Sequence, residues 1–255
     1  MRHSIVILAA FALFFVVWYF NLGGWPLRAF TEGSQAAHYF VNYAVAGLIP
    51  AVALLLLHRP HEIAAAMGLS RGFGTGALFG ALATLPMLVG YAWAGTFNRE
   101  VSVDHLLTRV VIAGFFEELV FRGFVFGQLF RYARWGFLPT ALLTAVAFGS
   151  LHLYQGHDLA SALGAFAVTA AGSVFFSWIY AEWNFNLWSV IWLHTLMNLP
   201  WIVFSVSASG AVGGVWANVL RLGTIAIAIT LTVVYKKQRG LPYSINKKSL
   251  IFNYV

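Results

Sequence analysis

The sequence predicts an all-α membrane protein, a polytopic bundle of about eight transmembrane helices, each needing about 20 predominantly apolar residues to cross a bilayer. Three observations predict this class. Only 9% of the 255 residues are charged, against about 25% in a soluble domain, so the chain lacks the charge from which a water-exposed surface is built. Apolar runs of spanning length recur along the chain, and 60% of its residues are hydrophobic. These runs are continuous and do not alternate, which excludes the strands of a membrane barrel; an open sheet would leave its amides unpaired in lipid.

The runs place helices at 4–20, 38–57, 74–95, 105–130, 137–153, 159–180, 187–206 and 213–235. The first starts like a secretory signal, with Arg2 ahead of an apolar run. It has no clear small-residue cleavage site and ends in Trp18, Tyr19 and Phe20, side chains suited to the membrane interface, so it reads as a retained helix. After the second run, His58, His61 and Glu62 do not form a His-Glu-x-x-His motif and read as a solvated loop. Gly72, Gly74, Gly76 and Gly80 open the third run. No strand precedes them and no Lys-Ser/Thr follows, so they are not a phosphate loop; Gly76 and Gly80 read as sites of close helix packing. Asp104 with His105, and His157 with Asp158, are placed to open the fourth and sixth helices as caps. Trp178, Tyr180, Trp183, Trp188 and Trp192 read as an interfacial belt.

The chain divides into N-terminal membrane helices (1–104), a core (105–206) and a last helix with a basic tail (207–255). The tail from Lys236 onward is expected to be frayed or to lie on the membrane surface. No internal repeat is evident. The net charge of +7 does not indicate nucleic acid, because ten of the fifteen basic residues fall in short segments that bracket the runs. Arg2, Arg59, Arg71, Arg131, Arg134, Lys236, Lys237, Arg239, Lys247 and Lys248 share one side, and Arg28 and Arg99 the other, which predicts a plasma-membrane protein with both termini cytoplasmic. Cysteine is absent, so disulfides, thiolate catalysis and cysteine-ligated metals are excluded.

Ionisable groups in hydrocarbon cost about 2.5–3.5 kcal/mol each on insertion scales, so the few present call for a reason. In the fourth run Glu118 and Arg122 are four residues apart and pair on one helical face, while the adjacent Glu117 points about 100° away. Glu117 is therefore the less compensated carboxylate and the candidate general base. The fifth run ends with Phe148 and His152 on one face, and the seventh carries His194 and Asn198 on one face. A histidine and an asparagine together can offer two donors to a developing oxyanion. Taken singly, each group also fits an ordinary structural role: a buried ion network, an interface histidine or interhelical glue. Together they supply a base, a histidine to orient water or a metal, and a donor pair, which is what hydrolysis of an amide requires.

Glu117-Glu118-x-x-x-Arg122, Phe148-x-x-x-His152 and His194-x-x-x-Asn198 occur in this order in separate helices. They resemble the three motifs of the CPBP family, the CAAX prenyl-proteases and bacteriocin-processing proteins, over a core of roughly residues 105–200. The resemblance implies an intramembrane endopeptidase acting on a peptide or membrane-anchored protein. Glu117 would activate water, His152 would help hold it, His194 and Asn198 would form the oxyanion hole, and Glu118 and Arg122 would support them. Glu117, His152 and His194 could instead hold a divalent metal such as zinc, leaving a place for water; the motifs suit either mechanism. Two other classes stay open: a proton-coupled transporter using the same groups as a relay, and a non-catalytic immunity or scaffolding protein. Convergence of Glu117, His152, His194 and Asn198 favours the peptidase; dispersal along a pore favours the carrier. The basic residues place His152 toward the outer face, whereas prenyl-protease substrates are cytoplasmic.

Overall fold

A computed structural model describes residues 1–205 and 212–253. The bundle is helical, as the apolar runs predict: α1 (Arg2–Tyr19), α2 (Gln35–Leu57), α3 (Phe73–Ala94), α4 (103–132), α5 (Phe137–Ser150), α6 (Leu159–Glu182), α7 (Leu187–Val203) and α8 (Val215–Arg239). Six of the described helices are long and apolar enough to cross a membrane, α5 being counted through to Gln155; α7 is apolar but shorter, and α4 is interrupted by π-helical turns. The end of the seventh predicted run at 206, and the start of the tail region at 207–211, lie outside the described residues. A two-stranded antiparallel pair, β1 (Thr96–Phe97) with β2 (Phe204–Ser205), ties the end of α3 to the end of α7.

Side chains facing outward are apolar: Leu48, Val52, Leu78, Leu82 and Val89 are all exposed. A surface of this kind is stable only in lipid, because in water each such group would forfeit its burial energy. The inward faces meet closely. A Cβ on Gly76 would lie 2.7 Å from Ser189 N, and one on Gly80 3.0 Å from Leu193 N, so both glycines let α3 approach the backbone of α7. Pro50, Pro86 and Pro200 lie within helices, as lipid-embedded helices tolerate.

Caps explain several boundaries. Asp158 and Ser161 form a reciprocal capping box at the start of α6, as expected; that box holds the Asp158 carboxyl below its ordinary range, chiefly through the Ser161 backbone N–H. Asp104 departs from expectation. Ser102 caps α4, and Asp104 reaches instead to the start of α2, where Oδ1 accepts from Ser34 Oγ (2.6 Å) and Ala36 N (3.2 Å) and Oδ2 from Gln35 N (3.0 Å). The Ser34 hydroxyl is the main cause of its lowered pKa. In the loop after α2, His58 Nε2 bonds Gln128 Oε1 at 2.7 Å, and Glu62, 3.9 Å from the exposed His61 ring, caps its own short turn.

The described part of the tail, through residue 253, packs back onto the bundle where fraying or a position on the membrane surface was expected. Lys236 is buried and forms an ion pair with the buried Glu182, whose Oε1 also accepts from Ile245 N. Ser249 O and Leu250 O accept from Phe137 N and Leu138 N, and Asn253 Nδ2 donates to Phe130 O at 2.8 Å. A buried carboxylate needs a counter-charge and donors, and the returning tail supplies both. Lys236 therefore leaves the count of solvated cations, with the charge asymmetry intact. Arg2 donates to Leu56 O, and Trp135 Nε1 to Ser4 Oγ, so the chain start, the ends of α2 and α4 and the tail share one end of the bundle.

Candidate active site

The site begins where α4 meets α7. Gly114 lets the helices touch, since a Cβ there would lie 3.1 Å from Thr195 Cα. This approach brings the two glutamates one turn later on α4 against His194 on α7. Residues Ala113–Glu118 are α-helical, and the flanking stretches 107–112 and 119–126 take the wider π-helical turn. Such turns are rare and shift which carbonyls are paired within a helix.

The two glutamates are divided by burial. Glu118 is 0% exposed and Arg122 1%, and they pair through Oε1 and Nη1 at 2.9 Å, as the four-residue spacing predicts. The same Oε1 accepts from His194 Nδ1 at 2.6 Å, so the supporting pair is a triad that includes His194. The Arg122 guanidinium also lies over Phe148 and Phe176, at 5.0 and 5.3 Å from the ring centroids. Glu117, 19% exposed, is turned to the open space, where its Oε2 stands 3.9 Å from His194 Nε2. The Glu118 bond fixes the imidazole: Nδ1 carries a proton toward the carboxylate, and Nε2 faces Glu117.

His152 is not helical, contrary to the sequence expectation. α5 stops at Ser150, and His152 occupies the turn beyond it. It keeps the predicted partner nonetheless, because Nδ1 bonds the Phe148 carbonyl at 2.8 Å and the two rings lie 4.6 Å apart. A carbonyl only accepts, so Nδ1 is the protonated nitrogen and Nε2 carries a lone pair. Asn198 Nδ2 donates to the Arg109 carbonyl at 3.0 Å, within the first π-helical stretch, which leaves the second amide N–H of Asn198 for another acceptor.

Glu117, His152, His194 and Asn198 line one cavity of about 620 Å³, with Glu118 and Arg122 in its wall. Sequence reasoning missed several of its other walls: Tyr39 from α2, Arg109 from α4, Trp201 from α7 and Arg221 from α8. Arg109 and Arg221 were visible as charges within apolar runs, but nothing in the sequence aimed them at the motif residues. Arg109 Nη1 donates to Tyr154 Oη at 3.3 Å, and the Arg221 guanidinium lies 4.7 Å from the Trp201 ring centroid. The wall residues His105, Tyr154 and Trp201 place the chamber at the end of the bundle remote from the basic tail.

Glu117, His152 and His194, the expected ligands if a metal is bound, do not fit that role as they stand. Among the described residues no three His, Asp or Glu side chains are grouped as one ion requires. No metal ligand set therefore supports the metalloprotease reading.

A lipid-faced helical bundle enclosing a chamber of glutamate, histidine and asparagine defines the class: an integral membrane protein with a polar, water-competent site. Residues 99–200 match the family model described as type II CAAX prenyl endopeptidase, Rce1-like. That match bears out the CPBP resemblance over the segment containing all three motifs, and the family it describes is one of proteases. No curated protein matches the chain.

Proposed function

We propose that the protein is an intramembrane endopeptidase that hydrolyses a peptide bond near or within the membrane with water activated by Glu117. The observation that carries this reading is the convergence of Glu117, His152, His194 and Asn198 on one cavity, with Glu117 open to it and Glu118 sealed behind. Water held between the Glu117 carboxylate and the His152 Nε2 lone pair finds an acceptor for each proton, and its oxygen is free to attack. Glu117 takes the proton as the carbon–oxygen bond forms. The substrate oxygen gains charge and is met by His194 Nε2–H, whose imidazolium is supported by Glu118, and by the second N–H of Asn198. Collapse of the intermediate breaks the carbon–nitrogen bond, and the proton on Glu117 passes to the leaving amine.

Clustering in one chamber disfavours a relay along a pore. With the chain termini in the cytoplasm, the chamber opens toward the non-cytoplasmic side. The test compares membrane peptides of cells carrying the wild-type protein or Glu117→Gln, followed by cleavage of an accumulated peptide by purified protein. Glu117→Gln should fold and should abolish cleavage, since the amide keeps the size of the side chain and loses its basicity. Full cleavage by Glu117→Gln removes the proposed base. A wild-type protein that binds the peptide without cutting it supports the immunity or scaffolding reading.

A further inference from the structure

Glu117, His194 and Asn198 stand on helices, whereas His152 stands at the head of a short 3-10 turn that begins where α5 stops and ends at Gln155. A helix fixes the height of its side chains along the bundle; a turn beyond its end needs other contacts to do so. Gln155 N–H donates to the His152 carbonyl at 3.0 Å, which closes 152–155 into one unit, so a displacement of Tyr154 carries His152 with it. On one side the turn rests against α6, where a Cβ on Gly156 would collide with the Ala162 backbone. On the other side it meets α4, and there Arg109 Nη1 donates to the Tyr154 hydroxyl oxygen at 3.3 Å. Tyr154 is 67% exposed, so its position depends on that bond more than on packing.

Arg109 therefore meets two of the reacting groups in two different ways. Its carbonyl accepts from Asn198 Nδ2 at 3.0 Å, and its guanidinium reaches the turn of His152. The guanidinium is steadied from α2 by the Tyr39 ring, 6.0 Å from its Cζ. It lies in the first π-helical stretch of α4, on the same helix as Glu117; wide turns of this kind are frequent at functional sites. One position on α4 thus gathers the base's own helix, the amide donor from α7 and the histidine turn after α5. A charge on a membrane helix is costly, and none of the steps of hydrolysis uses this one. The two roles are also separable, because replacing the side chain leaves the carbonyl that Asn198 bonds.

We propose that Arg109 is a positioning residue: through the Tyr154 hydroxyl it holds the turn that aims His152 into the chamber. In this role it touches neither substrate nor water. The consequence for cleavage rests on the peptidase reading; the holding of the turn does not, and the experiment reads the two apart. Wild-type protein, Arg109→Met, Tyr154→Phe and the double variant are compared in lipid nanodiscs. Amide hydrogen exchange over 151–156, where the His152, Gln155 and Gly156 N–H groups are bonded within the turn, should be about tenfold faster in each single variant, as loss of a charge-assisted bond gives. The double variant should exchange no faster than the singles, since both remove one bond. Thermal midpoints should stay near wild type, because the bond is at the surface. On an accumulated cellular peptide, kcat should fall about tenfold to a hundredfold, the cost of a small misplacement, with KM little changed. In a chain without native cysteine, Arg109→Cys with Tyr154→Cys, joined by a flexible dithiol-reactive cross-linker, should restore slow exchange and most of kcat, and cleaving the linker should undo both. Unchanged exchange in the single variants, or losses that add in the double variant, overturns the proposal. So does a tether that restores slow exchange without turnover while Arg109→Lys alone is active, which would assign the charge to substrate. If wild-type protein cuts no peptide, the peptidase reading fails, and the exchange rates still decide whether Arg109 holds the turn.

Discussion

Removing the charge of Glu118 separates what the triad does for the fold from what it does for the chemistry. In Glu118→Gln, Arg122, 1% exposed, would remain as a buried guanidinium without its anion. Breaking one side of a buried pair costs about 3–5 kcal/mol. For a chain of this size about 2–4 °C of midpoint accompanies each kcal/mol, so the thermal midpoint in detergent should fall by about 6–20 °C. The amide also presents N–H protons where Glu118 Oε2 has no partner among the described residues, which adds to the loss. A companion variant, Glu118→Leu with Arg122→Met, removes both ions and fills their space beside Phe148 and Phe176 with apolar groups. Exchanges of this kind are often neutral or stabilising, so the midpoint should return to about the wild-type value. Cleavage should not return with it, because His194 Nδ1 has lost the acceptor that orients the ring; a misplacement of about 1 Å costs on the order of 10²-fold in rate. Differential scanning fluorimetry and cleavage of the same peptide by each purified variant provide the two readouts. An unchanged midpoint in Glu118→Gln, or full cleavage by the double variant, refutes the reasoning.

Three further outcomes test the arrangement. His194→Ala and Asn198→Ala should each lower turnover by about 10²–10³ with a smaller change in substrate affinity, as loss of one oxyanion donor does; steady-state kinetics that show lost affinity and retained turnover would assign them to recognition. Gly114→Val should part α4 from α7 at Thr195, costing about 1–3 kcal/mol of stability by overpacking and about 10²-fold or more in cleavage through displacement of the glutamates; a stable and fully active variant would show that the close approach is not needed. Single cysteines at Gln155 and Gln238, introduced into a chain that has none, should be labelled by an impermeant thiol reagent in intact cells at 155 and protected at 238. The reverse pattern would turn the chamber to the cytoplasm.

The helical bundle was legible from composition, because lipid allows so few ways to satisfy a backbone that continuous apolar runs leave little choice. The pairing of Glu118 with Arg122 was legible for a similar reason: a spacing of four residues in a helix brings two side chains together with no other knowledge. Periodicity ended at the last turn of α5, so His152 was read as helical; its bond to the Phe148 carbonyl survives because a side chain in the following turn can still reach back to that group. The charges of Glu182 and Lys236 were each visible, one just past a predicted run and one at the start of the tail, but 54 residues separate them and no local pattern joins such partners.

Sequence by itself determined which residues could do chemistry and which of them are neighbours along a helix, because both follow from side-chain identity and a repeat of 3.6 residues. Only the tertiary structure decided which glutamate is sealed and which is open, that Glu118 holds His194 as well as Arg122, and that Arg109 and Arg221 look into the same chamber. Those relations are set by how separate helices pack. Contacts as close as that of Gly114 on Thr195 depend on the whole bundle, whereas a linear pattern records only the neighbours within each helix.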